Sequence, residues 1–153
     1  MNDKLEKYLQ KALKFISIRP RSQKEILDYL KRKIPRNLKL RNLVLKNLER
    51  LDLVDDQAFV LWWLDQRNSF RPKGKRALLQ ELRQKGIERE LVENLLADLD
   101  ELPLARRVAL KKIKILSKLP YLERKQKLSA FLARRGFGWS IISKILDEMV
   151  EKE

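Results

Sequence analysis

A pattern of turns and apolar positions recurs along this 153-residue chain at intervals of about fifty residues. Residues 20–30 align with residues 72–82, and residues 83–87 align with residues 133–137. The second alignment continues through four further apolar pairs, which are Leu91 with Ile141, Val92 with Ile142, Leu95 with Ile145 and Leu96 with Leu146. Because turn residues and apolar residues repeat together, we expect tandem structural repeats.

Each repeat contains three amphipathic segments in which apolar residues return every three or four positions, the spacing typical of a helix with one buried face. We predict an all-α fold of three tandem three-helix repeats that form an elongated, curved array. The predicted repeats cover residues 1–51, 52–102 and 103–153. A unit of about fifty residues buries little core, so we expect each repeat to lean on its neighbours.

Local capping signals mark several helix ends. Ser22 is a good N-cap, and Glu25 stands at the third helical position, where it completes a capping box. The pair Asp55-Asp56 is expected to cap the fourth helix. Gly86 is a plausible C-terminal stop for the fifth helix.

The aromatic residues of the fourth and ninth helices are predicted to be mainly structural. Phe59, Trp63 and Phe70 fall on the predicted apolar side of the fourth helix, and Trp63 and Trp139 are expected in the core. Trp62 is expected to be partly exposed. The alternative for Trp62 is a role in binding, because tryptophan rings can stack on nucleic-acid bases.

The composition excludes several classes of chemistry. The sequence has no histidine and no cysteine, which removes disulfides, thiolate nucleophiles, Cys/His zinc motifs and the usual imidazole base. No glycine-rich loop of the kind that cradles phosphates is present. We therefore predict a protein that is not an enzyme, with no catalytic residues, no cofactor and no metal.

The charge of the chain is strongly positive, with 36 Lys and Arg against 21 Asp and Glu and a net charge of +15. The first and third predicted repeats carry net charges of +10 and +8, and the middle repeat carries −3. Such a surplus attracts polyanions such as nucleic acid. Residues 1–10 lack the apolar segment of a signal peptide, and no apolar run approaches a membrane span. We expect a cytoplasmic protein that contacts no membrane.

The clearest candidate binding surface is a stripe of four cations in the seventh helix. Steps of four, three and four residues place them on one helix face, and they are Arg107, Lys111, Lys114 and Lys118. Four stacked cations repel one another, so an anionic partner would relieve a cost. A solvated helix face is the alternative.

The turn and second helix of each predicted repeat are also basic. The candidate partner-binding residues there are Arg21 in the first repeat, Lys73, Lys75, Arg76 and Arg83 in the second, and Arg134 and Arg135 in the third. Cations at the end of a helix also favour the helix dipole without any partner. Both interpretations remain open for Arg134 and Arg135.

Several motifs together resemble the RecX family over about residues 8–148. They are Arg19-Pro20-Arg21-Ser22 followed by Glu25, residues 51–56 followed by Phe59, Trp63 and Arg67, residues 80–87, and Arg134-Arg135-Gly136-Phe137. Two turns depart from the family pattern. Lys75 stands where proline is common, and Ile34-Pro35-Arg36 replaces a glycine-centred turn.

The resemblance implies a function in homologous recombination, DNA repair and the SOS response. RecX family members are cytoplasmic bacterial regulators made of three three-helix repeats. They bind the RecA recombinase, lie in the groove of its filament on DNA, and usually inhibit its ATPase and strand exchange. We accordingly predict a monomer whose partners are a RecA-type recombinase filament and, weakly and in a salt-dependent manner, single- or double-stranded DNA. The alternative is a stand-alone helical DNA- or RNA-binding protein.

Overall fold

A computed structural model describes residues 2–150. Nine helices and no strand are found within that range. The helices are α1 (Asn2–Ile18), α2 (Gln23–Lys33), α3 (Leu38–Arg50), α4 (Asp56–Phe70), α5 (Lys75–Gln84), α6 (Arg89–Leu96), α7 (Glu101–Leu116), α8 (Tyr121–Arg134) and α9 (Trp139–Met149).

Three separate hydrophobic cores lie along the chain. Helices α1–α3 enclose Val44 and Leu48, helices α4–α6 enclose Val60 and Leu82, and helices α7–α9 enclose Leu132. The prediction of an all-α fold built from three-helix repeats is confirmed. The repeat boundaries at residues 52 and 103 stay a prediction.

The molecule exposes more surface than a compact protein of its size. Its accessible area is 10294 Å² for 18.3 kDa, against roughly 8,100 Å² for a compact monomer of that mass. The excess is the signature of repeats that stack in a row and contact only their neighbours. The array is therefore elongated.

The predicted capping signals are confirmed with one exception. The Ser22 hydroxyl accepts from the Glu25 amide at 3.2 Å, and the Glu25 carboxylate accepts from the Ser22 amide at 3.0 Å. Asp55 caps α4 by accepting from the Ala58 amide at 3.1 Å. Asp56 does not cap α4, because its Oδ1 accepts from the Gln23 amide of the first repeat at 2.8 Å.

Neighbouring repeats meet in the same way twice, at junction 1 between repeats one and two and at junction 2 between repeats two and three. In each, the first turn of one repeat's second helix lies against the glycine turn that ends the next repeat's second helix, at Gly86 and Gly136 respectively. The first amide of the earlier helix also donates to a carboxylate at the start of the next repeat. In junction 2 this bond joins the Lys75 amide to Glu101 Oε2 at 2.9 Å.

Junction 1 is held largely by charged side chains around Glu25. Arg19 Nη2 and Lys85 Nζ lie 2.5 and 3.4 Å from Glu25 Oε2, and Lys85 belongs to the second repeat. Burial alone would raise the pKa of Glu25, but hydrogen bonds from Arg19 and Ser22 and the nearby positive charges outweigh it and lower the pKa. The Lys24 ammonium also donates to the Gln84 carbonyl at 3.3 Å.

Junction 2 is held largely by the backbone. The Gly74 amide donates to the Arg135 carbonyl at 2.7 Å, and the Arg76 amide donates to the Gly136 carbonyl at 3.2 Å. A Cβ atom added at Gly74 would lie 2.4 Å from the Gly136 carbonyl oxygen. Gly136 itself has a φ of +91°, which L side chains rarely adopt. Only glycine at both positions permits this approach.

The prediction that Phe70 lies on the apolar side of α4 is wrong, because its side chain is 80% exposed. Phe70 is in phase with the buried Phe59, yet α4 is 15 residues long while α5 and α6 have 10 and 8. The lengths correspond to about 22, 15 and 12 Å. The end of α4 therefore extends beyond the helices that cover its start, and Phe70 stands on the part that extends.

The prediction of a core position for Trp139 is also wrong, since the side chain is 64% exposed. Trp139 is the first residue of α9, and helical side chains lean toward the N-terminus. The ring therefore projects past the start of the helix. Trp63 is only half-buried, and the expected partial exposure of Trp62 is confirmed. Both rings pack against Phe59.

Candidate polyanion-binding surface

A cleft opens at junction 2 between the end of α4 and the helices α7 and α8. Its charged lining consists of four cations, Arg71 from α4's end, Arg107 and Lys111 from α7, and Arg135 from α8's end. The cleft has a volume of about 380 Å³, which lies at the lower end of the range for small-molecule sites. We call it the cationic cleft.

The fold positions the cations of this cleft. Arg107 Nη2 donates to the Asn68 carbonyl and lies 3.2 Å from Asn68 Oδ1, which ties α7 to α4. The guanidinium carbon of Arg135 lies 4.9 Å from the Phe131 ring centroid, within reach of a cation–π interaction. The Arg135 backbone is fixed by its bond to Gly74. The cleft is thus organised before any ligand arrives.

No acidic side chain among residues 2–150 neutralises the positive charge of the cationic cleft. Within residues 2–150, none of the four cations forms an ion pair, and no acidic residue lines the cleft. Burial lowers the pKa of Arg135, and the positive charge of Arg71 lowers it further. Cations held together without a counter-ion favour the binding of an anion.

A second basic groove lies between the end of α7 and α8. Four cations line it, namely Lys112, Lys118, Lys127 and Arg134. Ile115, which also lines the groove, is 74% exposed. This groove contains the predicted residues Lys118 and Arg134 and adds two lysines that the sequence did not single out.

The four-cation stripe predicted for α7 is divided by the structure. Arg107 and Lys111 face the cationic cleft, whereas Lys118 follows the end of α7 and lines the second groove. Lys114 is exposed and lines neither. The stripe therefore does not act as one row but contributes to two separate surfaces.

In the middle repeat, Arg76 and Arg83 line a pocket with Arg89, around Leu79 and Ile87. The Arg89 guanidinium is paired with Glu93 at 2.6 Å. Arg76 and Arg83 are exposed, so they remain available to an anionic partner.

Lys73 has an internal partner. Its ammonium lies 2.6 Å from Glu81 Oε1, while Arg67 Nε and Trp63 Nε1 each donate to Glu81 Oε2 at 2.8 Å. Burial raises the pKa of Glu81, but these three donors outweigh it, and the net pKa is lowered. Lys73 is thus already paired with Glu81 within the second repeat, and a ligand would have to compete with that ion pair.

The remaining predicted residues also have structural contacts. Arg21 stacks over the Phe15 ring, 3.8 Å from its centroid, and its Nε donates to the Phe15 carbonyl at 3.1 Å. Burial lowers the pKa of Arg21, and Arg19 adds to that effect. Lys75 is half-buried at junction 2. The structure groups neither residue with the cationic cleft.

Sequence reasoning missed Arg71 and Phe70 as cleft residues, and Lys112 and Lys127 as groove residues. Arg71 could have been found, because it is a cation in the turn directly before a basic second helix. Lys127 and Arg134 are seven residues apart, which is two helical turns on one face of α8. The exposure of Phe70 results from the different lengths of α4, α5 and α6, which the spacing of apolar residues does not reveal.

The chain matches family models of the three successive three-helix domains of RecX. The first domain matches residues 9–36, the second residues 55–96 and the third residues 100–146. The chain belongs to the RecX family. The regulatory protein RecX of Pelodictyon phaeoclathratiforme is 33% identical over 142 residues, covering 91% of this chain and 86% of that protein. The regulatory protein RecX of Prosthecochloris aestuarii is 34% identical and covers 94% of each.

Solved RecX structures share the fold. The crystal structure of RecX from Lactobacillus salivarius superimposes with a TM-score of 0.84 at 24% identity, over 97% of this chain and 98% of that one. A second crystal structure of a regulatory protein RecX gives a TM-score of 0.81 at 28% identity, over 95% of this chain and 73% of that chain. The three-repeat architecture is therefore that of RecX proteins.

Residues 2–150 contain neither a membrane-spanning helix nor a metal-binding cluster of side chains. None of the helices in the described part of the chain combines the length and the apolarity needed to cross a bilayer. Within residues 2–150, no group of three or more acidic side chains is arranged to hold a metal ion.

Proposed function

We propose that this protein is a monomeric cytoplasmic regulator that binds RecA-type recombinase filaments on DNA and inhibits their ATPase and strand exchange. Membership of the RecX family supports a regulatory role. The observation that carries the binding half of the proposal is the cationic cleft at the junction of two repeats, whose four cations form no ion pair within residues 2–150. DNA phosphates or acidic protein patches on the filament supply the missing negative charge.

The array offers several weak contacts on one elongated body. The cationic cleft, the second groove and the exposed pair Arg76 and Arg83 are separate surfaces. Weak contacts on one scaffold add through effective concentration, so simultaneous binding can be far tighter than each contact alone. A body that contacts neighbouring recombinase subunits in this way would restrict the motions that ATP turnover requires.

The proposed function needs no chemistry from the protein itself. The chain has no His and no Cys, and the cations of the cleft bind charge without providing a base near neutral pH. The proposal is therefore inhibition by binding, not by turnover.

The test combines co-sedimentation with recombinase filaments on single-stranded DNA and the filament ATPase rate. The wild-type protein should sediment with the filaments and slow ATP hydrolysis. Arg71→Glu with Lys111→Glu, both in the cationic cleft, should weaken filament binding at least tenfold, or about 1.4 kcal/mol. Both residues are exposed, so the fold should be unaffected.

The matched control is Lys125→Glu with Lys144→Glu, which removes the same charge from exposed positions outside the cleft. It should bind filaments within about twofold of wild type, since a 0.4 kcal/mol change is about a factor of two. If both double variants bind equally weakly, only the diffuse field of the +15 charge acts. If DNA binding persists while filament ATPase is untouched, the chain is a stand-alone nucleic-acid-binding protein.

A further inference from the structure

Phe70 combines high exposure with a strongly charged setting. Its side chain is 80% exposed and lines the cationic cleft beside Arg71. The other large ring there, Phe131, is covered by the guanidinium of Arg135 at 4.9 Å and the ammonium of Lys112 at 5.0 Å. Phe70 is therefore the ring of the cleft that remains open for a ligand.

We propose that the cationic cleft is a single-stranded DNA subsite in which the cations hold a backbone phosphate and Phe70 stacks on the adjacent base. Single-strand binding sites combine a cationic track for the backbone with aromatic rings on which bases stack. The cleft provides both, with Lys111 and Arg135 for the phosphate and an open ring at its rim. This assignment rests on the proposed function, because it names the form of DNA that the chain contacts.

The exposed ring favours a single strand over a duplex. Bases in a duplex already stack on one another, so a side chain can reach their faces only by wedging between steps and kinking the helix. A single strand offers unstacked bases at no such cost. Phe70 stands at a helix end with its ring in solvent, which allows a base to approach without rearrangement of the protein.

The surroundings of Phe70 favour nucleic acid over an acidic protein segment. The core of a protein interface is a contiguous apolar patch with few charges. The cleft instead surrounds one open ring with four cations, and its other apolar residues, such as Val108 and Phe131, are buried or covered. That arrangement fits a chain of alternating phosphates and bases.

The test measures binding of the full chain to fluorescent oligonucleotides without recombinase. Phe70→Ala should weaken binding to a single-stranded oligothymidine about five- to 150-fold, the range found for stacked bases. Phe70→Trp should keep affinity within about twofold, because indole also stacks. Binding to a duplex of equal length should change less than twofold for either variant. A parallel loss on the duplex would overturn the subsite.

Trp139→Ala is the matched control, because Trp139 is also a largely exposed aromatic residue and lies outside the cleft. It should bind the oligothymidine like wild type. Equal losses from Phe70→Ala and Trp139→Ala would contradict the proposal, because they would show that any surface ring contributes. Thermal melting checks that both variants keep the wild-type fold.

A salt titration should distinguish the contribution of the cleft's cations from that of the Phe70 ring. Lys111→Gln should lower the slope of log affinity against log salt by about 0.7, as expected for one lost single-strand phosphate contact. Phe70→Ala should leave that slope unchanged. Phe70→Ala should not change the affinity for poly-L-glutamate. If the variant binds poly-L-glutamate more weakly but binds DNA like wild type, the cleft is a site for an acidic protein segment. Filament co-sedimentation does not enter these measurements, so a failed subsite leaves the proposed function standing.

Discussion

Junction 1 and junction 2 have the same geometry but different chemistry. At junction 1, Lys24 and Lys85 of two repeats bind a carbonyl and a carboxylate through flexible ammonium groups. At junction 2, the amides of Gly74 and Arg76 reach the backbone of the next repeat directly. The contact between the start of one helix and the glycine turn of the next repeat therefore sets how neighbouring repeats are arranged. The hydrogen bonds and ion pairs around that contact differ between the two junctions.

Because of this difference, the two junctions should be sensitive to different substitutions. At junction 2, a Cβ atom added at Gly74 would meet the backbone of the next repeat, which cannot move aside as a side chain can. Junction 1 depends in addition on the charge of Glu25, which pairs with Arg19 and Lys85. The cationic cleft stands at junction 2, where a rigid contact keeps its like charges together.

The largest expected effect is at Gly74. Gly74→Ala should lower the free energy of unfolding by about 2–3 kcal/mol more than the matched variant below, because overpacking and lost hydrogen bonds both contribute. The added Cβ would lie 2.4 Å from the Gly136 carbonyl oxygen, and backbone must move to admit it. Urea denaturation followed by circular dichroism measures the difference.

Gly138→Ala is the matched variant for that comparison. Gly74 and Gly138 are both N-cap residues with nearly the same backbone angles, φ −79° and ψ 170° against φ −81° and ψ 166°. Nothing lies within 4 Å of a Cβ at Gly138, so the capping cost is shared and the junction contact is not. Equal losses would mean that junction 2 contributes no close packing.

An intermediate effect is expected at junction 1. Glu25→Gln should cost about 1–2 kcal/mol, because glutamine still completes the capping box while the charge-assisted bonds to Arg19 and Lys85 are lost. Glu93→Gln, which breaks the exposed pair with Arg89, should cost about 0.3 kcal/mol as a control. A Glu25 variant as stable as the Glu93 variant would show that junction 1 does not need its carboxylate.

The same carboxylate makes stability depend on pH. The pKa values of Glu25 and Glu81 are lowered in the folded protein. Their contribution is therefore present above the unfolded value of about 4.3 and is lost as the pH falls through the folded values. Unfolding measured from pH 7 downward should show a smaller loss for Glu25→Gln than for wild type, because one of the two carboxylates no longer titrates.

The smallest effect is expected for Lys85→Gln, which removes the cation that Glu25 contacts across the junction. The loss should be about 0.5 kcal/mol at low salt and should nearly vanish at 1 M salt, where the Debye length is about 3 Å. Melting curves at the two salt concentrations decide this. A loss of the same size in both would assign Lys85 a packing role in place of an electrostatic one.

The fold was predictable because its signals are local. The capping box at Ser22 and Glu25 and the turn at Gly86 each lie within a few residues and specify helix ends directly. The apolar spacing that repeats between residues 91–96 and 141–146 specifies which faces are buried. Together these give helix number, order and repeat length without any long-range information.

The candidate site was less predictable because it depends on distant pairs. The Gly74 amide meets the Arg135 carbonyl across sixty-one residues, and Arg107 meets Asn68 across thirty-nine. A single sequence shows no sign of either contact. Periodicity placed Phe70 and Trp139 inside, but both stand at helix ends, where phase alone does not determine what lies opposite the side chain.

The shared geometry of the two junctions gives the array a direction. The first repeat contributes the start of its second helix to junction 1. Its own turn, at Pro35, contains no glycine, and no earlier repeat among residues 2–150 packs on it. The third repeat supplies only the glycine turn, at Gly136. Among residues 2–150, only the middle repeat contributes both a glycine turn, at Gly86, and a helix start, at Ala77, to junctions with its neighbours. A chain with a duplicated middle repeat would therefore keep a helix start against a glycine turn at every junction.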